Sequence, residues 1–407
     1  MLSRGGFRAM VGALGLLGAG KVLGATELYL LGAGLTSLIG VALLWVRLTR
    51  VHLNATRRVG SGRIHRGALA NVELTITNEA ARRSTTVKIR DALSGTSGAA
   101  MLIGPLARGE GARAAYQLPT GVRGVLTVGP LDVQWSDPFG LCTRRKAVLG
   151  ETELLVYPQI EVLLPVAHAS RHDPVATARN PNALAPTGDD FFALRRYVIG
   201  DDLRRVHWPS LARGGELLTR QHEQTRHEAT TVMLNVEQGQ LSSECFEQAV
   251  SAAASVLAAA SAASDDFRLC TSAGADCGFT TGRAQLDGLL AALAVQQPQP
   301  NAALASALDR LTRTEAGGSL VVIGADAEGT ETLPLAALRR SFAYVVTVAF
   351  ALHDPAGHSP ESHREDGAGA MLVCSPGESF VPCWNQSQRR VVAHRRRLSP
   401  GALGGTP

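Results

Sequence analysis

ATTVMLNV, residues 229–236, leads through a short turn into SSECFEQAVSAAASVLAAASAAS, residues 242–264, and then into DFRLCTS, residues 266–272. The first run is apolar and β-rich, long enough for a buried strand. The second is rich in Ala and opens on Ser242 or Ser243, whose hydroxyl can accept from the free N–H groups of a helix's first turn. The third reads as another strand. Helical stretches at 283–295 and 300–314 follow, then the strand GSLVVIGAD (318–326), another helix, and the strand FAYVVTVAF (342–350). Strands alternating with helices pack as α/β layers around a mostly parallel sheet. Residues 229–352 are therefore expected to form a doubly wound α/β domain. Functional loops of such sheets lie at the carboxyl ends of strands, here near Asn235 and Asp326.

Upstream, from 58 to 160, the period changes to two. NVELTITN sets Val72, Leu74 and Ile76 on one face, TTVKIRDAL sets Val87 and Ile89, and LDVQW sets Leu131, Val133 and Trp135. Alternating runs bounded by Gly, Pro, Asn and Asp predict antiparallel strands with one buried face, and several at short spacing predict a small β-sandwich. Residues 165–190 are polar and rich in Pro, Asn and Asp, as in an exposed linker. Residues 161–228 thus hold a linker and a central motif. After 353 the composition predicts a partly disordered basic tail to 407, in which MLVC and SFVPCW could add an edge strand.

The front of the chain is apolar. LYLLGAGLTSLIGVALLWV, Leu28–Val46, carries no charge and matches the roughly 20 residues needed to cross a bilayer. AMVGALGLLGAGKVLGA, Ala9–Ala25, is interrupted by Lys21, whose stem can snorkel to the interface. Arg4 and Arg8 precede the first span, and Arg47, Arg50, Arg57 and Arg58 follow the second. Arginine at both outer ends predicts a transmembrane hairpin over 1–50 with the body facing the cytoplasm, in the inner or plasma membrane. A cleaved signal peptide would account for residues 1–25, yet the second span would still hold the protein. Glycines at 12, 15, 18 and 20 lie within the first span, where they suit helix packing rather than nucleotide binding.

The chain has 407 residues, room for several domains, and a formal net charge of +5, a mild excess that does not argue for nucleic acid. Lys occurs only at 21, 88 and 146, so the basic residues are nearly all Arg. The six cysteines form no CxxC pair. They fit free thiols in a reducing compartment, with one structural disulfide left open.

Two stretches carry a resemblance. RGVLTVGPLDVQWSDPFGL, Arg123–Leu141, is similar to a β-domain signature in which a Gly-Pro turn leads to an Asp-Pro-Phe-Gly-Leu turn. FFALRRYVIGDDLRRVHWPSLARGGELLTRQHE, residues 191–223, resembles the central motif of the same bacterial family, catalogued as domain of unknown function 58. The resemblance implies a membrane hairpin, a β-domain, the motif, and a fold like the von Willebrand factor A-type domain. It also implies a MoxR-type AAA-plus ATPase partner and a role in assembling or maturing other proteins, often of the envelope. It supplies no reaction.

Within the motif, Gly200 allows a tight turn, Asp201 and Asp202 stand beside Arg204 and Arg205, and arginine forks pair carboxylates with fixed geometry. Trp208 reads as an apolar anchor to bury and Pro209 as a helix stop, with Leu217 and Leu218 resuming an apolar run toward the α/β sheet. Arg213 and Glu223 complete the candidate partner-binding set. The stretch reads first as a structural clasp with spare arginines offered to a partner. His207 and Ser210 are three apart around Pro209, and no oxyanion donor is visible for nucleophilic catalysis. His222 and His227 are five apart, roughly 140° apart around a helix, which cannot present both to one zinc. There is no GxxxxGK[ST] loop. A-type domains often hold Mg²⁺ on an Asp-x-Ser-x-Ser motif; here Asn235, Glu237 and Gly239 stand at its positions, with Asp326 nearby. That is a poor set of oxygen ligands, so no metal or other cofactor is expected. The functional expectation is a non-enzymatic membrane adaptor or scaffold working with the ATPase on an unknown client, with the lipid bilayer as its other partner and no nucleic acid. The alternative is a hydrolase using the acids near residue 201.

Overall fold

The computed structural model describes residues 2–49, 51–60, 63–167, 190–197, 206–208, 210, 218–223, 229–313, 318–326, 335–350, 364–366, 369–374 and 377–398. The chain divides into two compact units, Met1–Tyr157 and Pro158–Pro407.

The first unit opens on helices α1 (Arg4–Leu23) and α2 (Thr26–Leu48). Ser3 caps α1 by accepting from Gly6 N, Lys21 sits in its last turn, and Gly24 ends it in the left-handed region, as dipole and capping rules favour. The two helices touch where they have no side chain. A Cβ on Gly20 would lie 2.9 Å from the Tyr29 ring, and one on Gly32 2.8 Å from Leu17. Gly12, Gly15 and Gly18 face open space, so of the glycines expected to serve packing in the first span, Gly20 does. Both helices are long and apolar enough to cross a membrane.

Nine strands follow: β1 (Leu53–Val59), β2 (Ile64–His65), β3 (Asn71–Asn78), β4 (Val87–Leu93), β5 (Ala99–Ile103), β6 (Gly111–Gln117), β7 (Gly124–Ser136), β8 (Thr143–Leu149) and β9 (Thr152–Tyr157). They begin five residues before the expected boundary at 58. They form a three-stranded sheet, β1-β3-β6, and a six-stranded one ordered β2-β9-β7-β4-β5 with β8 also on β7. The anticipated alternation is present: Val72, Leu74, Ile76, Val87, Ile89, Leu131, Val133 and Trp135 are buried in one shared cluster, which also takes in Ala42 and Val46 of α2. Gly129-Pro130 is not a turn, as the resemblance suggested. It lies inside β7, where the strand leaves β9 and takes up β8. A buried polar network joins the two sheets. Arg57 of β1 donates to both carboxylate oxygens of Asp91 on β4, at 2.6 and 3.2 Å, and to the Val128 carbonyl at 3.0 Å. Tyr116 of β6 donates to the same carboxylate at 2.6 Å.

In the second unit β10 (Asp190–Arg196) and β11 (Leu218–Glu223) pair antiparallel in a sheet of their own. The main sheet is built from β12 (Ala229–Leu234), β13 (Asp266–Thr271), β14 (Ser319–Asp326), β15 (Tyr344–Phe350), β16 (Arg364–Asp366) and β17 (Gly369–Cys374), in the order β13-β12-β14-β15-β17-β16. Every pairing in it is parallel except β16 with β17. Its helices are α3 (Ser243–Ala262), α4 (Arg283–Val295), α5 (Leu304–Arg313), α6 (Leu335–Ser341) and α7 (Val381–Leu398). Ser242 is the α3 N-cap, accepting from Cys245 N. Helix α3 is also apolar enough for a membrane, but its buried Ala, Val and Leu residues make it a core helix.

The carboxyl-terminal expectation needs correction. MLVC is part of β17, an interior strand rather than an edge, and FVPCW opens α7 instead of extending a sheet. The α/β unit therefore runs past 352. The α7 stripe at 384, 387 and 388 is buried, but two of its three residues are Ser and Gln, so hydrophobic periodicity does not reveal it. The start of the expected linker is also structured. Residues 159–167 hold to α3 and α7: Ser251 Oγ donates to the Gln159 carbonyl at 2.8 Å, Leu164 N to Asn385 Oδ1 at 2.9 Å, and Ala167 N to Gln388 Oε1 at 2.8 Å. Residues 168–189 lie outside the described residues.

Candidate functional site

The central motif connects β10 to β11. Its described part is Val206, His207, Trp208 and Ser210. Val206 is buried, and His207 N donates to the Leu218 carbonyl at 2.7 Å, fastening the connection to the first residue of β11. Ser210 N donates to the His207 carbonyl at 3.0 Å, so the two residues fold back on each other. This brings His207 Nδ1 and Ser210 Oγ within 2.5 Å. Trp208 is 57% exposed, which overturns the expectation that it is a buried anchor. Val206 beside it is buried and His207 is held through its backbone, while the indole faces solvent. Leu218 pairs with Arg196 rather than continuing toward the main sheet. Glu223 ends β11 opposite Asp190. Gly200, Asp201, Asp202, Arg204, Arg205 and Arg213, and with them the proposed charge pairs, lie outside the described residues.

A second locus forms where β12 and β14 lie side by side and the chain order of the sheet reverses, the position at which parallel sheets open a crevice. Asn235 follows β12. Its backbone N donates to the Ile323 carbonyl at 2.8 Å, its amide to the Gly324 carbonyl at 3.0 Å, and its Oδ1 accepts from Glu237 N at 3.1 Å. The group at the metal motif's first position is thus spent holding two strands together. Glu237 lies 3.5 Å from Leu304 N, at the start of α5, where a carboxylate suits the helix dipole. Gly239 turns the loop with φ 86°. Asp326 ends β14 in register with Phe350, and its side chain lies outside the described residues. Among the described residues no three His, Cys, Asp or Glu gather to hold a metal ion.

Sequence reasoning missed Ser272. It follows β13 as Asn235 follows β12, and Leu234 pairs with Thr271, so the two residues come side by side. Ser272 Oγ accepts from Val236 N at 2.8 Å. The signal was a Thr-Ser directly after a strand read as parallel to 229–236. Also missed was Arg268 on β13, which donates to Asp276 at 2.7 Å through Nε, pairs with it through Nη2, and lies 5.4 Å from the Phe279 ring centroid.

The Arg268 hydrogen bonds hold the Asp276 carboxyl down to about 2, against an ordinary value of 3.8. A depressed carboxyl stabilises the fold above its ordinary pKa and loses that contribution as pH falls through its folded value. Asp276→Asn is therefore expected to destabilise the unit at neutral pH, with the difference from wild type shrinking between about pH 4 and pH 2. Thermal melts across that range check it; a difference that grows toward acid would contradict the pairing.

No curated protein matches the chain. Among solved structures, the CARDB domain of a Pyrococcus furiosus protein, crystallised with di-metal ions, aligns at 12% identity over 26% of this chain and 86% of that one, with a TM-score of 0.20. An alkylpurine DNA glycosylase of Pseudomonas fluorescens, bound to DNA containing an abasic site analog, aligns at 18% identity over 28% of this chain and 33% of that one, with a TM-score of 0.19. Similarity at that level carries no argument here. The sequence comparison does: residues 193–360, from the motif into the α/β unit, match the model described as "Protein of unknown function DUF58".

Proposed function

We propose that the chain is a membrane-anchored adaptor or scaffold, not an enzyme. Its hairpin spans the membrane with both ends in the cytoplasm, and its body presents a β-sandwich and an A-type α/β domain to a MoxR-type AAA-plus ATPase and a client protein under assembly or maturation. The observation that carries this reading is the exposed indole of Trp208 in the motif. Tryptophan is among the residues that dominate protein interfaces. The A-type assignment is supported by the sheet order and by Phe267–Thr280 and Cys270–Asp276, antiparallel bridges that add a partial strand outside β13. The hairpin orientation is supported by its flanking arginines.

A photoreactive residue placed at 208 in native membranes is expected to yield an adduct with an AAA-plus ATPase. Trp208→Ala is expected to abolish capture of that ATPase by the full chain while changing stability by less than about 0.5 kcal/mol, as for other exposed positions. Adducts without an ATPase, or a large stability loss, would reject the reading.

The His207–Ser210 contact favours a second reading, a hydrolase with Ser210 as nucleophile and an acid near residue 201 orienting the base. Ser210→Ala separates the two: the adaptor keeps capturing the ATPase, whereas the hydrolase loses its turnover.

A further inference from the structure

The Asp137–Leu141 turn, the second half of the β-domain signature, is built to hold something. Asp137 Oδ2 accepts from Phe139 N at 2.9 Å and its Oδ1 from Cys142 N at 2.5 Å, while Gly140 N donates to the Asp137 carbonyl at 3.1 Å. What it holds is the start of α1. Ser3 N donates to the Leu141 carbonyl at 2.8 Å and Ser3 Oγ to the Gly140 carbonyl at 2.6 Å. A Cβ on Gly6 would fall 1.9 Å from the Leu141 oxygen, so any larger residue there would displace the turn from the helix. The turn and α1 are in backbone contact one turn into the helix.

Lengths fix the depth of that contact. Helix α1 has 20 residues, roughly 30 Å at 1.5 Å per residue, and the hydrocarbon core of a bilayer is about 30 Å thick. If α1 spans, it has no turns to spare, and Gly6 stands at the edge of the hydrocarbon. Helix α2 gives the same answer independently. Ala42 and Val46 are buried in the cluster that contains Trp135 and Cys142, and Ala42 lies about 9 Å before the end of α2. The body of the first unit therefore starts at the level of the lipid headgroups. At that level Phe139 leaves the turn 66% exposed, and the hairpin ends expose Phe7 and Trp45. Arg4, Arg8 and Arg47 are exposed beside them. Aromatic rings and arginines at one height are the composition of a membrane interface, the rings among the glycerol groups and the guanidinium groups on lipid phosphates.

We propose that the Asp137–Leu141 turn is a third membrane contact, with Phe139 inserted into an anionic headgroup layer beside the start of α1. The turn then acts as a wedge that fixes the tilt of the β-domain on the bilayer, which a two-helix anchor alone leaves free. The proposal rests on the reading that the hairpin spans the membrane, and the test separates the two.

Single spin labels are introduced through Phe139→Cys, Val122→Cys and Val11→Cys, with Cys277→Ser and Cys383→Ser removing the more accessible native thiols. The full chain is reconstituted in vesicles of mixed phosphatidylcholine and phosphatidylglycerol. Val122, 74% exposed, precedes the far end of β7, and Val11 lies on the exposed face of α1. The ratio of oxygen to nickel-chelate collisions is expected to be several-fold higher at 139 than at 122, and highest at 11. A label at 139 no drier than at 122, with the label at 11 in lipid, overturns the wedge and leaves Phe139 to a protein partner. A label at 11 in water overturns the spanning hairpin, and the wedge with it.

Discussion

Trp384→Ala is expected to destabilise the α/β unit by about 3–5 kcal/mol, as aromatic truncations in closed cores do. The indole is wholly buried, meets Phe380 edge to face at 6.1 Å, and donates from Nε1 to the Leu164 carbonyl at 2.8 Å. Truncation leaves a cavity against α7 and strips that carbonyl of its partner, so residues 159–167 should loosen together with the helix. Trp384→Phe keeps most of the volume and loses only the N–H, at an expected cost of about 1–2 kcal/mol. Urea unfolding of the detergent-solubilised chain reads both as a lower midpoint at unchanged slope. Equal effects at 384 and at the exposed Trp208 would contradict the structure.

Arg57→Ala is expected to cost the first unit about 3–5 kcal/mol, the loss that follows when one partner of a buried ion pair is removed. The side chains of Arg57 and Asp91 are 3% and 0% exposed. Without the guanidinium, the Asp91 carboxylate is left in the apolar core with Tyr116 as its remaining side-chain donor. Burial, and then the bond to Asp91, push the Tyr116 phenol above its ordinary value, so that donor stays neutral but supplies no charge. Asp91→Ala in the Arg57→Ala background should recover part of the loss, since no unpaired charge then remains. Additive losses in a double-mutant cycle would mean that the pair does not bridge the sheets.

The contrast between the two tryptophans explains how far the sequence could be read. The α/β layers and the β-strands were legible because their burial follows a period: Val72, Leu74 and Ile76 alternate, and the alanines of α3 sit between two strands. Trp208 and Trp384 have no such context. Both stand beside or near a Pro, Pro209 and Pro382, and only contacts distant in sequence, Leu164 for Trp384, decide which is inside. Helix α7 hid for a related reason, since its buried stripe includes the polar Ser387 and Gln388, the latter accepting from Ala167 N. At the candidate site, the residue types Asn235 and Gly239 could be read from the sequence, but not what they do. The role Asn235 takes, tying β12 to β14, depends on Gly324, 89 residues away. The tie of the Asp137–Leu141 turn to α1 rests on Gly6, a glycine the sequence does not distinguish from those beside it.

The position of β17 bears on how the chain is made. It sits between β15 and β16, yet it is the last strand of the sheet to leave the ribosome. Until residue 374 has emerged, β15 must wait with an unpaired edge of seven buried residues, the kind of template that recruits other chains. The hairpin and the first unit will by then be long finished, since domains fold in the order of synthesis. A chain stopped at 360, where the family match ends, would keep that edge open permanently and would lack the helix that buries Trp384. The interval between 350 and 374 is therefore the window in which this protein needs protection from its own neighbours on the polysome.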